Sequence, residues 1–387
     1  MIPNNQITLL QNGEAYFPAI EAALDRAIDE IYLEAYIFKH DATGRRIADA
    51  LRRAAIRGVI THLLIDGFGS VDLPQTIIDD LEAAGVLVLK FRPKTSPWTL
   101  RRRRLRRLHR KIVVIDRKIA FVGGINIVDD MGVANQTSPR YDYAVSVEGP
   151  LVEAIHDSAR HVWSRVAWSR MRDYWYRDVG GQSSSIEPCG RMRSAFLVRD
   201  NIRHRRNIEE AYLGAIEQAQ FEIIVANAYF FPGLNFRRSL LGAAGRGVRV
   251  VLLLQGKMDH PLLQYASHAL YGGFLEAGIE IHQYRRSIMH AKVAVIDEHW
   301  ATVGSSNLDP FSLLLSLEAN VVVDDESFAK ELKHSLDQAI HSESQRIVKK
   351  NWRTKSFRLR LTGWLSYALV RFMTGIAGYA PGKNRAH

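Results

Sequence analysis

The chain repeats itself, and that duplication restricts its fold more than any other feature of the 387 residues. Glu30 to Phe38 (EIYLEAYIF) resembles Glu222 to Phe230 (EIIVANAYF), and both carry the β-branched and aromatic content of a buried strand. A helix-like stretch follows each. The two stretches close in near-identical turns, Ala55-Ile56-Arg57-Gly58-Val59 and Ala244-Gly245-Arg246-Gly247-Val248, where glycine suits the left-handed residue after a helix end. Second strands follow at Ile60 to Asp66 and Arg249 to Gln255, and Leu81 to Val86 and Leu275 to Ile279 repeat the next helix-to-strand step. Strands alternating with helices of this length indicate parallel crossover units, hence an α/β protein with a sheet covered on both faces. A ligand is then expected beyond the carboxyl ends of the strands.

Between the copies, residues 169–194 change to Arg170, Met171, Arg172, Asp173, Tyr174 and Trp175 and then to the glycine and serine of 180–185, without periodicity, which reads as a linker. The lobes are therefore expected at 5–168 and 195–345, with an appended tail at 346–387. In that tail Leu361 to Ala380 is strongly apolar and aromatic, but Arg371 and three glycines weaken a spanning reading. With Arg353, Lys355, Arg358 and Arg360 ahead of it, the segment reads as one lying among anionic headgroups. A terminal helix packed on the protein's own core is the other reading, and the sequence leaves both open.

Charge narrows the partners. Lys and Arg number 52 against 41 Asp and Glu, a formal +11, which favours nucleic acid or anionic lipid headgroups. The single cysteine, Cys189, excludes an intramolecular disulfide and a thiolate metal cluster, and fits a reducing, intracellular setting. Met1 to Leu10 shows neither a basic leader nor a long apolar run, so a secretory signal is not expected.

The strongest chemical signal recurs at the same place in each half. His109-Arg110-Lys111 leads after four residues to Asp116 and then to Gly123-Gly124-Ile125-Asn126; His290-Ala291-Lys292 leads likewise to Asp297 and Gly304-Ser305-Ser306-Asn307. Each asparagine falls 17 positions after its histidine. One such match would be weak, whereas two in register are not. The apolar runs Ile112 to Ile115 and Val293 to Ile296 read as buried strands, with His and Lys at the entrance and two apart, so that both face one ligand. Asp116 and Asp297 complete the catalytic motifs. Each lies roughly 20 Å from its histidine along an extended strand, so capping of the following turn is the expected role.

A phosphodiester is an anion that resists nucleophiles, so its site must offset charge, supply a nucleophile and protonate the departing alkoxide. Lys111 and Lys292, with amide donors from Asn126 and Asn307 and the Ser305 hydroxyl, can hold the nonbridging oxygens. A neutral imidazole can attack phosphorus while a second, protonated one gives its proton to the leaving oxygen. No metal and no cofactor is called for. Near the motifs, the basic run that includes Arg103, Arg104, Arg106 and Arg107, and the pair Arg285 and Arg286, are expected to attract anionic headgroups.

The doubled pattern resembles the phospholipase D superfamily over nearly the whole chain. The resemblance implies two α/β/α lobes related by a pseudo-twofold, one active site where the two motifs meet, and a phosphohistidine intermediate. It casts His109 as nucleophile and His290 as general acid then base, a division that could be reversed. It also implies a carboxylate downstream of each motif that orients a histidine, at the positions of Asp142, 33 beyond His109, and Glu318, 28 beyond His290. The sequence departs from symmetry at Gly124, opposite Ser305. Within the superfamily, His109 to Asn126, Asn227 to Gly233, His299 to Pro310 and Ser316 to Asn320 resemble the shorter bacterial cardiolipin synthases. That implies a peripheral enzyme on the cytoplasmic face of the membrane, joining two phosphatidylglycerols into cardiolipin and glycerol, with no nucleic-acid partner. A metal-independent phosphodiesterase, lipase or nuclease, is the alternative, and a noncatalytic basic membrane binder the third reading.

Overall fold

The apolar runs form the strands expected of them, and every element of the first half except the short β5 recurs in the second. A computed structural model describes residues 1–92, 106–131, 138–169, 188–200, 204–257, 261–309, 316–353 and 357–376. The first half runs β1 (Ile2–Gln11), α1 (Asn12–Asp25), β2 (Glu30–Ala35), α2 (Ala42–Ile56), β3 (Ile60–Asp66), α3 (Gln75–Ala83), β4 (Leu87–Phe91), the short β5 (Arg107–Leu108), β6 (Ile112–Ile115), β7 (Ile119–Gly123), β8 (Tyr143–Glu148) and α4 (Leu151–Ser169). The second half repeats this order as β9 (Met192–Arg199), α5 (Asn207–Gln218), β10 (Glu222–Asn227), α6 (Leu234–Gly245), β11 (Arg249–Gln255), α7 (Pro261–Glu276), β12 (Glu280–Tyr284), β13 (Lys292–Ile296), β14 (Trp300–Gly304), β15 (Ser316–Asp324) and α8 (Glu326–Ser342). β16 (Ser344–Arg346), α9 (Lys349–Arg353) and α10 (Phe357–Ile376) follow.

One sheet passes through both halves in the order β16-β12-β11-β10-β13-β14-β15-β9-β1-β8-β7-β6-β2-β3-β4. The seam is the antiparallel pair of β1 and β9, with Ile2 opposite Ser194 and Asn5 opposite Met192. β9 thus begins inside the stretch expected to be linker, whose residues 170–187 lie outside the described residues. The sheet is mixed rather than parallel. Within that order β2-β3-β4 and β10-β11-β12 are parallel, while β6, β7 and β8 and their counterparts run antiparallel; off it, the short β5 pairs in parallel with β15. The reason lies in the connections: residues 116–118 and 297–299 are too short for a crossover and can only form hairpins.

Those turns account for the aspartates. Asp116 and Asp297 both adopt φ 52°, in the left-handed region where short polar side chains are tolerated. The Asp116 carboxylate accepts the amides of Ile28, Asp29 and Glu30 at 2.8 to 3.0 Å, and Asp297 accepts those of Gln220, Phe221 and Glu222 at 2.7 to 2.9 Å. Each ties its hairpin to the start of the neighbouring parallel strand. They stand at the opposite end of the strand from the histidines, and their geometry is that of turn builders.

α4 and α8 lie over a core that both halves share, where Ile155 and Trp163 of α4 and Phe328, Leu332 and Leu336 of α8 meet strand residues of the two lobes. Separate cores fill the space under α1 to α3 and under α5 to α7. Each fully buried Leu or Phe there contributes about 1.5 to 3 kcal/mol. One buried ion pair interrupts the pattern. The Arg110 guanidinium donates Nε to Glu34 Oε2 at 2.6 Å and Nη2 to Glu34 Oε1 at 3.1 Å, and its Nη1 reaches Ser158 Oγ at 2.9 Å. The second lobe has Ala291 and Ala226 at the equivalent places. This pair joins β6, β2 and α4 of the first lobe only.

Candidate active site

β6 runs antiparallel to β2, so the entrance of β6 lies at the carboxyl end of β2, and β13 stands in the same relation to β10. The motif histidines therefore reach the edge where the parallel strands end, as expected of a ligand site. Backbone bridges bring the two edges together. Arg107 and Leu108 of β5 pair with Ser316 and Leu317 of the second lobe, and Tyr141 of the first lobe bridges Met289.

Each histidine is held by the opposite lobe through two bonds. The His109 amide donates to Leu317 O at 3.0 Å while its Nδ1 lies 3.0 Å from Glu318 Oε2. The His290 amide donates to Tyr141 O at 2.8 Å while its Nδ1 lies 2.7 Å from Asp142 Oδ2. A carboxylate only accepts, so each Nδ1 carries the proton and each Nε2 keeps its lone pair for chemistry. Asp142 and Glu318 thus stand beside histidines, but each serves the motif of the other half.

The asymmetry at Gly124 and Ser305 acts on these carboxylates. The Ser305 hydroxyl donates to Glu318 Oε2 at 2.6 Å and accepts the Ala319 amide at 3.0 Å, so it supports the His109 clamp instead of turning to a phosphate oxygen. At Gly124 a Cβ would come within 2.3 Å of Asp142 Oδ1, leaving no room for a side chain. The shorter aspartate beside a glycine and the longer glutamate beside a serine are two ways of filling one space.

Lys111 Nζ donates to His109 O at 2.7 Å, and Lys292 Nζ donates to His290 O. An ammonium has three N–H groups, so each bond aims its lysine, and Lys111 keeps donors for a nonbridging oxygen. Asn126 is buried, with Oδ1 accepting the Ile37 amide at 3.2 Å, and its Nδ2 is the remaining donor; Asn307 is buried at the matching place. Two contributors went unnoticed in the sequence. The Tyr36 ring packs against His109 at 4.8 Å between centroids and under Lys111 Nζ at 5.4 Å. Asp66, fully buried at the end of β3, accepts the Leu108 amide at 2.8 Å and so fixes the approach to His109.

Of the arginines expected to draw headgroups, Arg103 and Arg104 lie outside the described residues. Arg106 directly precedes β5, and Arg107 stacks over Phe68 at 4.7 Å. Arg285 and Arg286 are both exposed; Arg285 donates to Gly256 O and Gln283 Oε1, and Arg286 is paired with Glu343 and Ser138. The Arg286 charge is matched by Glu343, whereas the partners of Arg285 are neutral oxygens.

Burial, then Lys292, Lys111 and His109, holds His290 well below the usual imidazole range. Burial also lowers His109, against the pull of Glu318. Burial brings the Lys111 ammonium down to about 7, with Glu318 opposing, and a phosphate anion arriving beside it would favour the charged form. Burial pushes Asp142 up to about 6, against Lys292 and the Tyr143 amide. Above that pH Asp142 is the carboxylate that orients His290; below it the orienting charge is gone. Turnover is expected to fall as the pH drops through about 6, and a slower Asp142→Asn enzyme should lack that limb, as kcat–pH profiles of the two proteins will show.

Comparison with known proteins agrees with this geometry. The family described as "Cardiolipin synthase, PLD-like domain" matches residues 20–163 and 212–340, one segment in each lobe. Cardiolipin synthase B of Shigella flexneri is 39% identical over 377 residues, 97% of this chain and 90% of that protein. Cardiolipin synthase A of Pseudomonas fluorescens is 32% identical over 375 residues, 94% of this chain and 74% of that one. Among solved structures, phosphatidylserine synthase of Haemophilus influenzae superposes with a TM-score of 0.71 at 15% identity, covering 96% of this chain and 94% of that chain, a likeness of fold. The paired motifs, the clamp between lobes and relatives of nearly full length lead to one assignment: the chain belongs to the cardiolipin synthase family of the phospholipase D superfamily.

Proposed function

We propose that the chain is a phosphatidyltransferase that joins two phosphatidylglycerols into cardiolipin and glycerol at the cytoplasmic surface of a bacterial membrane. The observation that carries the reading is the pair of imidazoles, each with Nδ1 held by a carboxylate of the other lobe and Nε2 left for chemistry. His109 Nε2 attacks the phosphorus of one lipid and forms a P–N bond as the bond to glycerol breaks. His290, protonated for this step beside the substrate's negative charge, gives its proton to the departing alkoxide. It then takes a proton from the hydroxyl of a second phosphatidylglycerol, whose oxygen attacks phosphorus and releases His109. The lysines and Asn Nδ2 groups offset the charge on the nonbridging oxygens throughout.

Water is the competing acceptor, and a site set against a bilayer, where lipid hydroxyls are concentrated and water sparse, favours transfer over hydrolysis. Likeness to cardiolipin synthase B over 97% of this chain and 90% of that protein supports the choice of acceptor. Purified protein with vesicles of labelled phosphatidylglycerol is expected to yield labelled cardiolipin and free glycerol by mass spectrometry. Adding phosphatidylethanolamine will show whether it competes as phosphatidyl donor. Phosphatidic acid as the only product, or cleavage of nucleic acid with no lipid product, would overturn the proposal.

A further inference from the structure

α10 has apolar side chains on two faces, one packed on the protein and one exposed. Its inward positions are Gly363, Ser366, Tyr367 and Val370, spaced as one helical face. That face packs on α7, where a Cβ on Gly363 would already lie 3.3 Å from Tyr265 O, and Val370 is fully buried among Phe231, Leu262, Leu263 and Ala266. The Tyr367 ring meets Phe231 at 5.4 Å. The opposite face carries the large apolar side chains: Trp364, Leu365, Leu369 and Phe372 are 58, 62, 47 and 66% exposed, with Ala368 between them. The inner face mixes Gly363 and Ser366 with Tyr367 and Val370, while four large apolar side chains face outward. A helix that faces only water does not expose such a stripe.

We propose that this outer face of α10 is the surface by which the enzyme seats itself on an anionic phospholipid bilayer, lying in the headgroup region without crossing it. Among the described residues no helix is long and apolar enough to span a membrane, and the exposed Arg371 sits beside the apolar stripe, where it meets lipid phosphates as the rings enter the acyl boundary. The chain's charge of +11 suits the same partner and opposes close approach of a second copy. Position links the surface to catalysis. The inner face of α10 rests on Phe231, whose amide donates to Leu308 O at 2.7 Å, one residue beyond Asn307. α7 is tied to the same segment, with Ser267 Oγ donating to Phe230 O. The bilayer is thus held on the side where β10 ends and the reacting phosphate binds.

The inference rests on the phospholipid reading above, yet its readout is binding and not turnover. Flotation with vesicles of phosphatidylglycerol and phosphatidylcholine is expected to show roughly hundredfold weaker partition for Leu365→Ser/Leu369→Ser/Phe372→Ser. Turnover of short-chain phosphatidylglycerol, monomeric in solution, should stay at the wild-type rate and serves as the control for folding. A second measurement needs no polar substitution: bromine on the acyl chains of the vesicle lipid is expected to quench a share of the wild-type tryptophan emission that is missing in Trp364→Phe. Unchanged flotation of the triple variant, equal quenching in Trp364→Phe, or a wild-type dimer that the triple variant splits with no loss of vesicle binding would each overturn the proposal. A protein that floats through this face but makes no cardiolipin would instead sink the functional reading and leave this one standing.

Discussion

His109→Ala and His290→Ala are each expected to remove cardiolipin formation, the nucleophile variant by about 10⁴-fold or more and the acid–base variant by at least about 10²-fold. The magnitude follows from the geometry. Each ring has its Nδ1 held by a carboxylate across the lobe interface and its Nε2 left for chemistry, a role an alanine cannot take. In the proposed mechanism both rings act on one phosphorus, and the double variant should therefore be no slower than the worse single one. Product formation from phosphatidylglycerol vesicles, measured for the three variants, tests this; a double variant slowed by the product of the two single effects would point to two independent sites.

The second large effect is on stability. Arg110→Ala leaves the Glu34 carboxylate buried without its partner, and burial already pushes that carboxyl upward against the pull of the guanidinium. Breaking such a pair costs about 3 to 5 kcal/mol, a large share of the roughly 5 to 15 kcal/mol that holds a folded domain together. Arg110→Met/Glu34→Leu, which removes both charges and keeps the volume, is expected to recover most of the loss. Denaturant unfolding followed by circular dichroism will measure both. Arg110→Ala at wild-type stability would show that the pair does not hold β6 to β2 and α4.

The lobes could be read in the sequence because each strand and helix carries its own periodicity, and the turns at Gly58 and Gly247, both at positive φ, mark the same helix end twice. The motif pairs were legible for the same reason. Strand direction was not, because it is set by connection length: with only Asp116 to Lys118 between β6 and β7, the hairpin prevails over the parallel arrangement suggested by the α/β alternation. The exchange of carboxylates was hidden too. Asp142 follows His109 and Glu318 follows His290, yet the bonds span 209 residues from His109 to Glu318 and 148 from Asp142 to His290. Only three-dimensional closure shows which histidine each carboxylate meets.

Ser305 illustrates the limit of reading a residue by type. A hydroxyl near phosphate suggests a phosphate contact, but Glu318 lies 2.6 Å away and captures it. Arg286 likewise reads as a free basic residue in the sequence, but Glu343 pairs with it in the fold. The tail had two competing readings, core packing and membrane contact, and the structure gives α10 a packed face and an apolar face turned outward. Apolar content alone does not say which face a helix buries.

The most direct test of one shared site is the stoichiometry of the covalent intermediate. After rapid quenching of the enzyme with labelled phosphatidylglycerol, intact-protein and peptide mass spectrometry should find no more than one phosphatidyl group per chain, on a motif histidine and absent when that histidine is alanine. Two groups on a single chain, one on each motif, or a group on any residue other than His109 or His290, would contradict the account.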